Sequence, residues 1–253
     1  MESARDLTSI TTHQVSCSVC DSTKSKVLYE ATVNLESPID CNRFNCTNPG
    51  HGEHYRIVQC TDCQMVYCSP RPSLEDLLNL YGGGEDFSYI EEEGGRRRTF
   101  RKSLRHIAPK SGRLLDVGCN TGVFLELAAA EGFECFGIEP SRFASRYARN
   151  KKGLNVICGA VPCDLPWKTT FDVITLWDVI EHVEKPLETV RFLRTLLEPG
   201  GCLHLSTMDV GALYPRIVGH SWPWFMQIKL HYFKRSTMDD LLLRDGFKSV
   251  KFP

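Results

Sequence analysis

The stretch LLDVGCNTGVFLEL runs from Leu114 to Leu127. An apolar run meets an acid, Asp116, then two glycines four residues apart, Gly118 and Gly122, then a second apolar run with helical spacing. A buried strand that simply turned into a helix would need neither the carboxylate nor the glycines. A strand ending at Val117 makes with them a tight turn whose backbone a ligand can approach closely, and the helix behind it presents N–H groups with no intrahelical partner. Twenty-one residues past Gly118 the next predicted strand ends in Glu139, where an acid can accept hydrogen bonds from both hydroxyls of a ribose. The turn, G-C-N-T-G, is shorter than the G-x-G-x-x-G of dinucleotide sites and offers no pyrophosphate cradle. Asp116 would repel phosphate and attract an ammonium group. Adenosine plus a nearby cation, without phosphates, describes S-adenosylmethionine. The plainer readings are that Asp116 caps the following helix and that Glu139 is a solvated strand end.

Outward from this turn, strand and helix patterns alternate. RLLDV, ECFGIE, NVIC, FDVITLW, CLHLST and KSVKF read as strands. GVFLELAAAEG, SRFASRYARNKKG, KPLETVRFLRTLLEPGG and STMDDLLLRDGF read as helices, stopped at Gly132 and Gly153 in the first two cases. That alternation predicts an α/β fold: a Rossmann-like, doubly wound, mostly parallel sheet with helices on both faces. Such sheets bind ligands beyond the carboxyl ends of their strands. Upstream, Ser73 is placed to cap LEDLLNLY with Asp76 at the third helical position. YGGGEDFSY reads as a flexible loop, and a helix is expected from about Arg96. The domain organisation read from these patterns is residues 1–72, 73–111 and 112–253: an N-terminal segment, a helical linker with a lid over the cofactor, and the α/β domain.

The 253 residues carry a formal net charge of −1, so nothing in the overall charge draws the chain to nucleic acid or to an anionic surface. No apolar run is long enough to span a membrane, and the N-terminus has no signal-peptide pattern, so a cytoplasmic protein without membrane contact is expected. The basic run RRRTFRKSLRHI could attract an acidic substrate or be an ordinary solvated helix face.

Twelve cysteines are many for a reducing compartment, and seven of them precede residue 70. CSVC (Cys17 to Cys20) and CTDC (Cys60 to Cys63) each bring two thiolates to one edge of a tetrahedron, and four thiolates make a closed structural zinc site. A small zinc-ribbon-like segment is therefore expected, with Cys17, Cys20, Cys60 and Cys63 as ligands. Redox pairing or empty knuckles are the alternatives. The intervening loop of about forty residues holds Cys41, Cys46, His51 and His54, any of which could join the metal or make a second site. Asp21 and Gln64 stand where glycine often follows such a knuckle.

LLDVGCNTG, GIEPS, FDVITLWDVIEHVEKPLE and LLEPGGCLHLST, in that order, resemble the motifs of class I S-adenosylmethionine-dependent methyltransferases over Arg113 to about Phe252. The paired C-x-x-C motifs, CSPRP, and HYF before TMDDLLLRDGF resemble a bacterial subgroup with an N-terminal zinc segment that often acts on sugars or small secondary metabolites. The resemblance implies that Asp116, Gly118, Cys119 and Gly122 cradle the methionine part of the cofactor, that Asn120 and Thr121 of the same turn also bind the cofactor, and that Glu139 holds the ribose. It places Pro140, Ser141, Ala160 and Val161 about the adenine, Trp177 and Asp178 on the cofactor's other side, and Tyr81 and Tyr89 over it, unless these tyrosines serve only packing. Two departures bear on this. Asn120 stands where the family has glycine, and asparagine tolerates a positive φ better than most residues. Ala160 replaces the acid that often meets the adenine, with Asp164 as a substitute. The family also has an antiparallel hairpin after the last helix. Here the chain stops after one strand, so one strand of the sheet is expected to be missing and its edge open to a second copy of the chain or a partner.

The chemistry asks for alignment of an acceptor behind an electrophilic methyl group and for removal of a proton. DVIEHVEKP sets Asp178, Glu181 and His182 just past a strand end, with His182 as the base candidate and Glu181 beside it. The D-x-x-E-H spacing also resembles a divalent-metal set of quinone-biosynthesis O-methyltransferases, and a purely structural histidine is the third reading. The aromatic stretch His220 to Phe233 would be a substrate lid, with His220, Trp222 and His231 facing the acceptor, or equally a hydrophobic plug or dimer contact. Together these readings predict methyl transfer to a small-molecule acceptor such as a nucleotide sugar. Two alternatives stay open: a non-catalytic module that binds cofactor or a partner, and a zinc-containing RNA methyltransferase, against which the near-zero charge argues.

Overall fold

Alternation of helical and strand periodicity in the second half of the chain becomes a five-stranded parallel sheet with helices on both faces. The computed structural model describes residues 11–34, 41–47 and 50–248. In chain order the elements are β1 (Thr12–His13), β2 (Ser25–Tyr29), β3 (Ile57–Cys60), β4 (Val66–Cys68), β5 (Arg71–Pro72), α1 (Leu74–Gly83), α2 (Phe87–Glu91) and α3 (Glu93–Arg105). There follow β6 (Gly112–Val117), α4 (Val123–Ala130), β7 (Phe133–Glu139), α5 (Arg142–Lys152), β8 (Asn155–Cys158), β9 (Phe171–Trp177), α6 (Pro186–Leu196) and β10 (Leu197–Ser206). The last described elements are α7 (Leu213–Val218), β11 (His231–Tyr232) and α8 (Arg235–Arg244).

The sheet order is β10-β9-β6-β7-β8, every pair parallel. The order reverses between β6 and β9, and this switch point is where such sheets form their ligand crevice. Successive strand residues point to opposite faces. Leu114 and Val173 therefore pack with Phe124, Leu125 and Leu104 of α4 and α3 on one face. Leu115 and Ile174 pack with Val190 and Leu193 of α6 and with Met238 and Leu241 of α8 on the other. The second of these cores also contains Cys17, Val19, Cys60, Met65 and Tyr67, so the N-terminal segment is packed into the same apolar mass as the sheet.

That segment forms an antiparallel sheet ordered β11-β4-β3-β2. Its edge strand β11 comes from late in the chain, with His231 opposite Tyr67 and Tyr232 opposite Val66. Among the described residues no helix is long and apolar enough to cross a membrane.

Several expectations need correction. Tyr81 lies in α1 and Tyr89 in α2, not in a glycine loop: Asp86 caps α2 by accepting the Tyr89 N–H, while Ser73 caps α1 as expected by accepting the Asp76 N–H. Helix α3 begins at Glu93. Leu197 already pairs with Phe171, so EPGG is a bulge within β10 rather than the end of α6, with Gly200 at φ +87°. The cap of α8 is Lys234, whose N–H donates to Thr237 Oγ1. The strand expected at KSVKF falls on residues 249–252, outside the described part apart from Lys248.

Candidate active site

Val117 ends β6, and the backbone then takes three left-handed residues within five: Gly118 at φ +74°, Asn120 at +48° and Gly122 at +78°. A Cβ on Gly118 would lie 2.5 Å from Val179 Cγ2, so glycine is required there both by conformation and by the close approach of the β9 loop. Asn120 holds its strained conformation by accepting the Thr121 N–H at its own Oδ1, 2.7 Å away. The turn is tied to β7: the Gly118 and Cys119 N–H groups both reach Ile138 O.

Two carboxylates sit at the adjoining strand ends. Asp116 is 1% exposed and accepts a 2.6 Å hydrogen bond from Thr175 Oγ1. Burial pushes its carboxyl up to about 8, with the Glu139 charge adding to the rise and the Thr175 hydroxyl opposing it. Glu139 is 6% exposed and accepts from the Asn120 N–H at 2.8 Å and the Ser141 N–H at 2.7 Å. Burial pushes it up to about 7, against those two donors. Glu139 thus joins the glycine turn to the start of α5, whose cap Ser141 accepts the Ala144 N–H. Two polar atoms in this region are buried without a protein partner: Thr121 Oγ1 in the turn and Trp177 Nε1 at the end of β9. The Trp177 ring packs edge-on against Phe124 and tilted against Phe100 of α3. Pro140 accepts from the Cys158 thiol, and Ala160 and Val161 follow β8 in a half-buried loop.

Beyond β9, Asp178 takes φ +55° and is tied to the end of β10: its N–H donates to Ser206, whose hydroxyl donates to Asp178 Oδ1 at 2.9 Å. His182 Nδ1 lies 2.6 Å from Ile228 O and 3.0 Å from the Tyr81 hydroxyl. A carbonyl only accepts, so Nδ1 carries the proton, the Tyr81 hydroxyl donates to Ile228 O (3.2 Å), and Nε2 keeps its lone pair. Burial holds the imidazole below its ordinary value, with Lys229 in the same direction and Glu181 opposing, so the ring is neutral near pH 7. A neutral, oriented imidazole with a free lone pair is the condition for a general base.

Glu181, expected beside His182 as a catalytic group, is instead buried and engaged: Oε1 accepts from Lys229 Nζ at 2.7 Å, which holds its carboxyl below the usual range. Trp222 and His231, expected at the acceptor face, are also core residues. Trp222 packs on Phe225 and Tyr232 against the N-terminal sheet. His231 has 0% exposure and meets Ser18 Oγ at 2.6 Å. The aromatic stretch is therefore mostly a plug, because Tyr55, Ile57 and Cys68 offer it an apolar face to cover. His220 is exposed in a short 3-10 turn, Gly219–Ser221, beside Ser221.

Other contributors carried no local sequence signal. The Cys46 thiol lies 3.5 Å from Asn120 Nδ2, at the glycine turn. Thr47 donates from both its N–H and its hydroxyl to Asp86, closing this segment onto α2. Arg96 stacks over Tyr89 at 3.8 Å. A loop residue 74 positions before its partner, or a backbone carbonyl such as that of Ile228, has no pattern to betray it.

The four thiols of Cys17, Cys20, Cys60 and Cys63 lie within 4.8 Å of one another, with Cys17–Cys63 at 3.4 Å and Cys20–Cys60 at 3.6 Å. Ligands about 2.3 Å from a tetrahedral zinc are separated by about 3.8 Å, so the cluster has the dimensions of a zinc–thiolate site. Asp21 and Gln64 take φ +58° and +63°, and their N–H groups return to Cys17 O and Cys60 O: the two knuckles share one conformation without glycine. His54 bonds Tyr55 O and His51 bonds Pro223 O, and Cys46 is at the glycine turn, so none of the three belongs to this cluster. The side chain of Cys41 lies outside what is described.

Residues 92–251, more than half of the chain, match a family described as a methyltransferase domain. A tRNA U34 carboxymethyltransferase of Desulfotalea psychrophila is 27% identical over 73% of this chain and 56% of its own length. A ubiquinone biosynthesis O-methyltransferase of Albidiferax ferrireducens is 31% identical over 42% of this chain and 45% of its own length. The chain thus spans about half the length of these curated relatives. Among solved structures, a SAM-dependent methyltransferase of Thermotoga maritima superposes with a TM-score of 0.53 at 22% identity, covering 64% of this chain and 75% of that one, a likeness of fold.

Proposed function

Because the chain belongs to the methyltransferase-domain family, we propose that it transfers the methyl group of S-adenosylmethionine to a small-molecule acceptor, with His182 as general base and a structural zinc on Cys17, Cys20, Cys60 and Cys63. The observation that carries the reading is the buried Glu139 carboxylate, held by backbone N–H groups from the left-handed turn and from α5. The residues fit the cofactor. The unpartnered Thr121 hydroxyl and Trp177 indole N–H stand at the strand ends, and two buried carboxyls with raised protonation await a cationic partner. When bound, the cofactor supplies an electrophilic methyl group on sulfur.

The chain's own residues do the rest. Glu139 would hold the ribose, Asp116 and the turn from Gly118 to Gly122 the methionine part, and Pro140, Ser141, Ala160 and Val161 the adenine. Asp178, fixed by Ser206, and Trp177 would close the other side. Tyr81 and Ile228 keep the His182 proton on Nδ1, so Nε2 is the atom that would take a proton from the acceptor. Tyr89, stacked under Arg96, would complete the wall. Four thiolates would leave zinc no open position, so its role is structural. Such a metal would stabilise a segment that buries little surface of its own.

The test is a methyl-transfer assay with His182→Ala. General-base loss lowers kcat by about 10²- to 10⁴-fold, with S-adenosylhomocysteine affinity retained; unchanged kcat removes His182 from the chemistry. Acceptor panels include bulk tRNA, because α3 exposes Arg98, Arg101, Lys102 and Arg105 and the tRNA-modifying relative shares much of this chain. Label transferred to tRNA alone would favour an RNA acceptor.

Binding is also expected to depend on pH. Folded Asp116 and Glu139 hold protons up to about 8 and 7, well above their unfolded values. The stability these carboxyls contribute is therefore fully present below about pH 4 and lost progressively as pH rises to the folded values of about 7 and 8. A cationic cofactor favours their charged forms, so binding releases protons near pH 7 and tightens between pH 6 and 8. Calorimetry in two buffers of different ionisation enthalpy measures that release, and its absence would exclude the carboxyls as the cation's partners.

A further inference from the structure

Residues 228–232 run as a strap between two regions far apart in sequence. At one end, Ile228 O fixes His182 Nδ1. Next, Lys229 pairs with Glu181 in the interior, and the Glu181 carbonyl accepts the N–H groups of both Leu230 and His231. At the other end the strap belongs to the N-terminal sheet. Strand β11 pairs with β4, the Cys68 N–H donates to Leu230 O at 2.9 Å, and the Cys68 thiol donates to Lys229 O. His231 Nε2 then meets the hydroxyl of Ser18, which stands between the first two thiols of the cluster. Arg71 reaches the same nitrogen at 3.4 Å and donates at 2.9 Å to Glu184 O, two residues past His182. Every link from knuckle to imidazole is a direct hydrogen bond or an adjacent peptide, and most of its atoms are buried.

We infer that this strap makes the four-cysteine knuckle a positioning device for His182: Ser18, Arg71 and His231 hold the strap, and the strap selects the Nδ1–H tautomer that leaves Nε2 free. The inference rests on the reading of His182 as base and of the cluster as a metal site. Its physical basis is that partners one shell out set the tautomer and orientation of the ring that acts. It gives the N-terminal segment a part in the reaction without giving the metal an open coordination position.

The experiment uses the full chain, zinc-loaded and labelled with nitrogen-15. The imidazole spectrum reports the His182 tautomer directly, and metal content, S-adenosylhomocysteine binding and kcat are measured on the same samples. Ser18→Ala removes the hydroxyl from the knuckle and spares all four thiols. The expected result is retained zinc and cofactor affinity, a His182 signal moved from Nδ1–H toward Nε2–H, and kcat lowered about 10- to 100-fold, with Ser18→Thr restoring both. Arg71→Met, which cuts the second link, should move the same signal. An unmoved His182 tautomer in both variants, each folded and zinc-loaded, would overturn the coupling while leaving the proposed function standing. Failure of the unaltered protein to bind S-adenosylhomocysteine would instead remove the reading on which the inference rests.

Discussion

Glu139→Ala is expected to weaken S-adenosylhomocysteine binding by about 100-fold, equivalent to about 2.7 kcal/mol, with the fold intact. The carboxylate makes two charge-assisted hydrogen bonds inside the protein, to the Asn120 and Ser141 N–H groups. Such bonds are worth about 1.5–3 kcal/mol each. Removing it would take away the proposed ribose acceptor and at once release Asn120, whose left-handed backbone depends on local hydrogen bonds. Global stability should fall little. The carboxyl is already pushed up to about 7 by burial, so at pH 8 its ionised form is a cost to the folded cofactor-free protein. Glu139→Gln should lie between, because the amide keeps one accepting oxygen but turns an NH₂ group toward a backbone donor. Calorimetric titration and thermal melts of the three proteins decide the matter. Equal affinity in the alanine variant would mean that the strand-end acid is a structural tie and not a cofactor ligand.

The second large effect is expected from the thiol cluster. Cys60→Ser, or removal of metal by a chelator, should lower the melting temperature by about 10 °C, since for a domain of this size each kcal/mol moves it about 2–4 °C. Structural zinc contributes about 10–16 kcal/mol of apparent binding energy in isolated small domains. Here the knuckles are not isolated. Cys17, Val19, Cys60, Met65 and Tyr67 share one apolar cluster with Leu115, Ile174 and Phe171 of the parallel sheet and with Phe233 and Met238. Loosening the knuckles therefore opens a face of the α/β core as well as the small sheet. Cys202→Ser, which alters a thiol remote from the cluster in the chain, is the control and should leave metal content and melting unchanged. A Cys60→Ser protein that melts like the parent would show that packing alone holds the segment.

Much of the α/β half was legible because its signals are local. The patterns of RLLDV, ECFGIE and FDVITLW became β6, β7 and β9 close to where they were read, and Gly153 stops α5 in a left-handed conformation. The glycine turn and Asp116 are likewise written in consecutive residues, and Glu139 ends the next strand pattern. The structure departs from the local signals where tertiary packing outweighs propensity. Glycines 82 and 83 carry a loop signal, yet they end α1, whose Leu77 and Leu80 pack on Phe44, Met226 and Leu230. EPGG has the pattern of a helix end, yet Leu197 pairs with Phe171 across a bulge. The aromatic stretch from His220 suits a lid or a plug equally by sequence, and only burial against the N-terminal sheet makes Trp222 and His231 part of a plug.

The strand and helix alternation, the glycine turn with Asp116 before it, and the two C-x-x-C edges are written locally, each in a periodicity or spacing within a few residues, and Glu139 ends the next strand pattern along the chain. The tertiary structure alone decided that the two edges converge on one cluster across about forty residues, that Glu181 is consumed by Lys229, and that His182 takes its tautomer from a carbonyl 46 positions later. It also brought Cys46 to the turn and His231 to the knuckle. These are pairings of groups distant in the chain, made by burial and hydrogen-bond satisfaction after the sheet has formed, and backbone carbonyls in particular are the same at every position of a sequence.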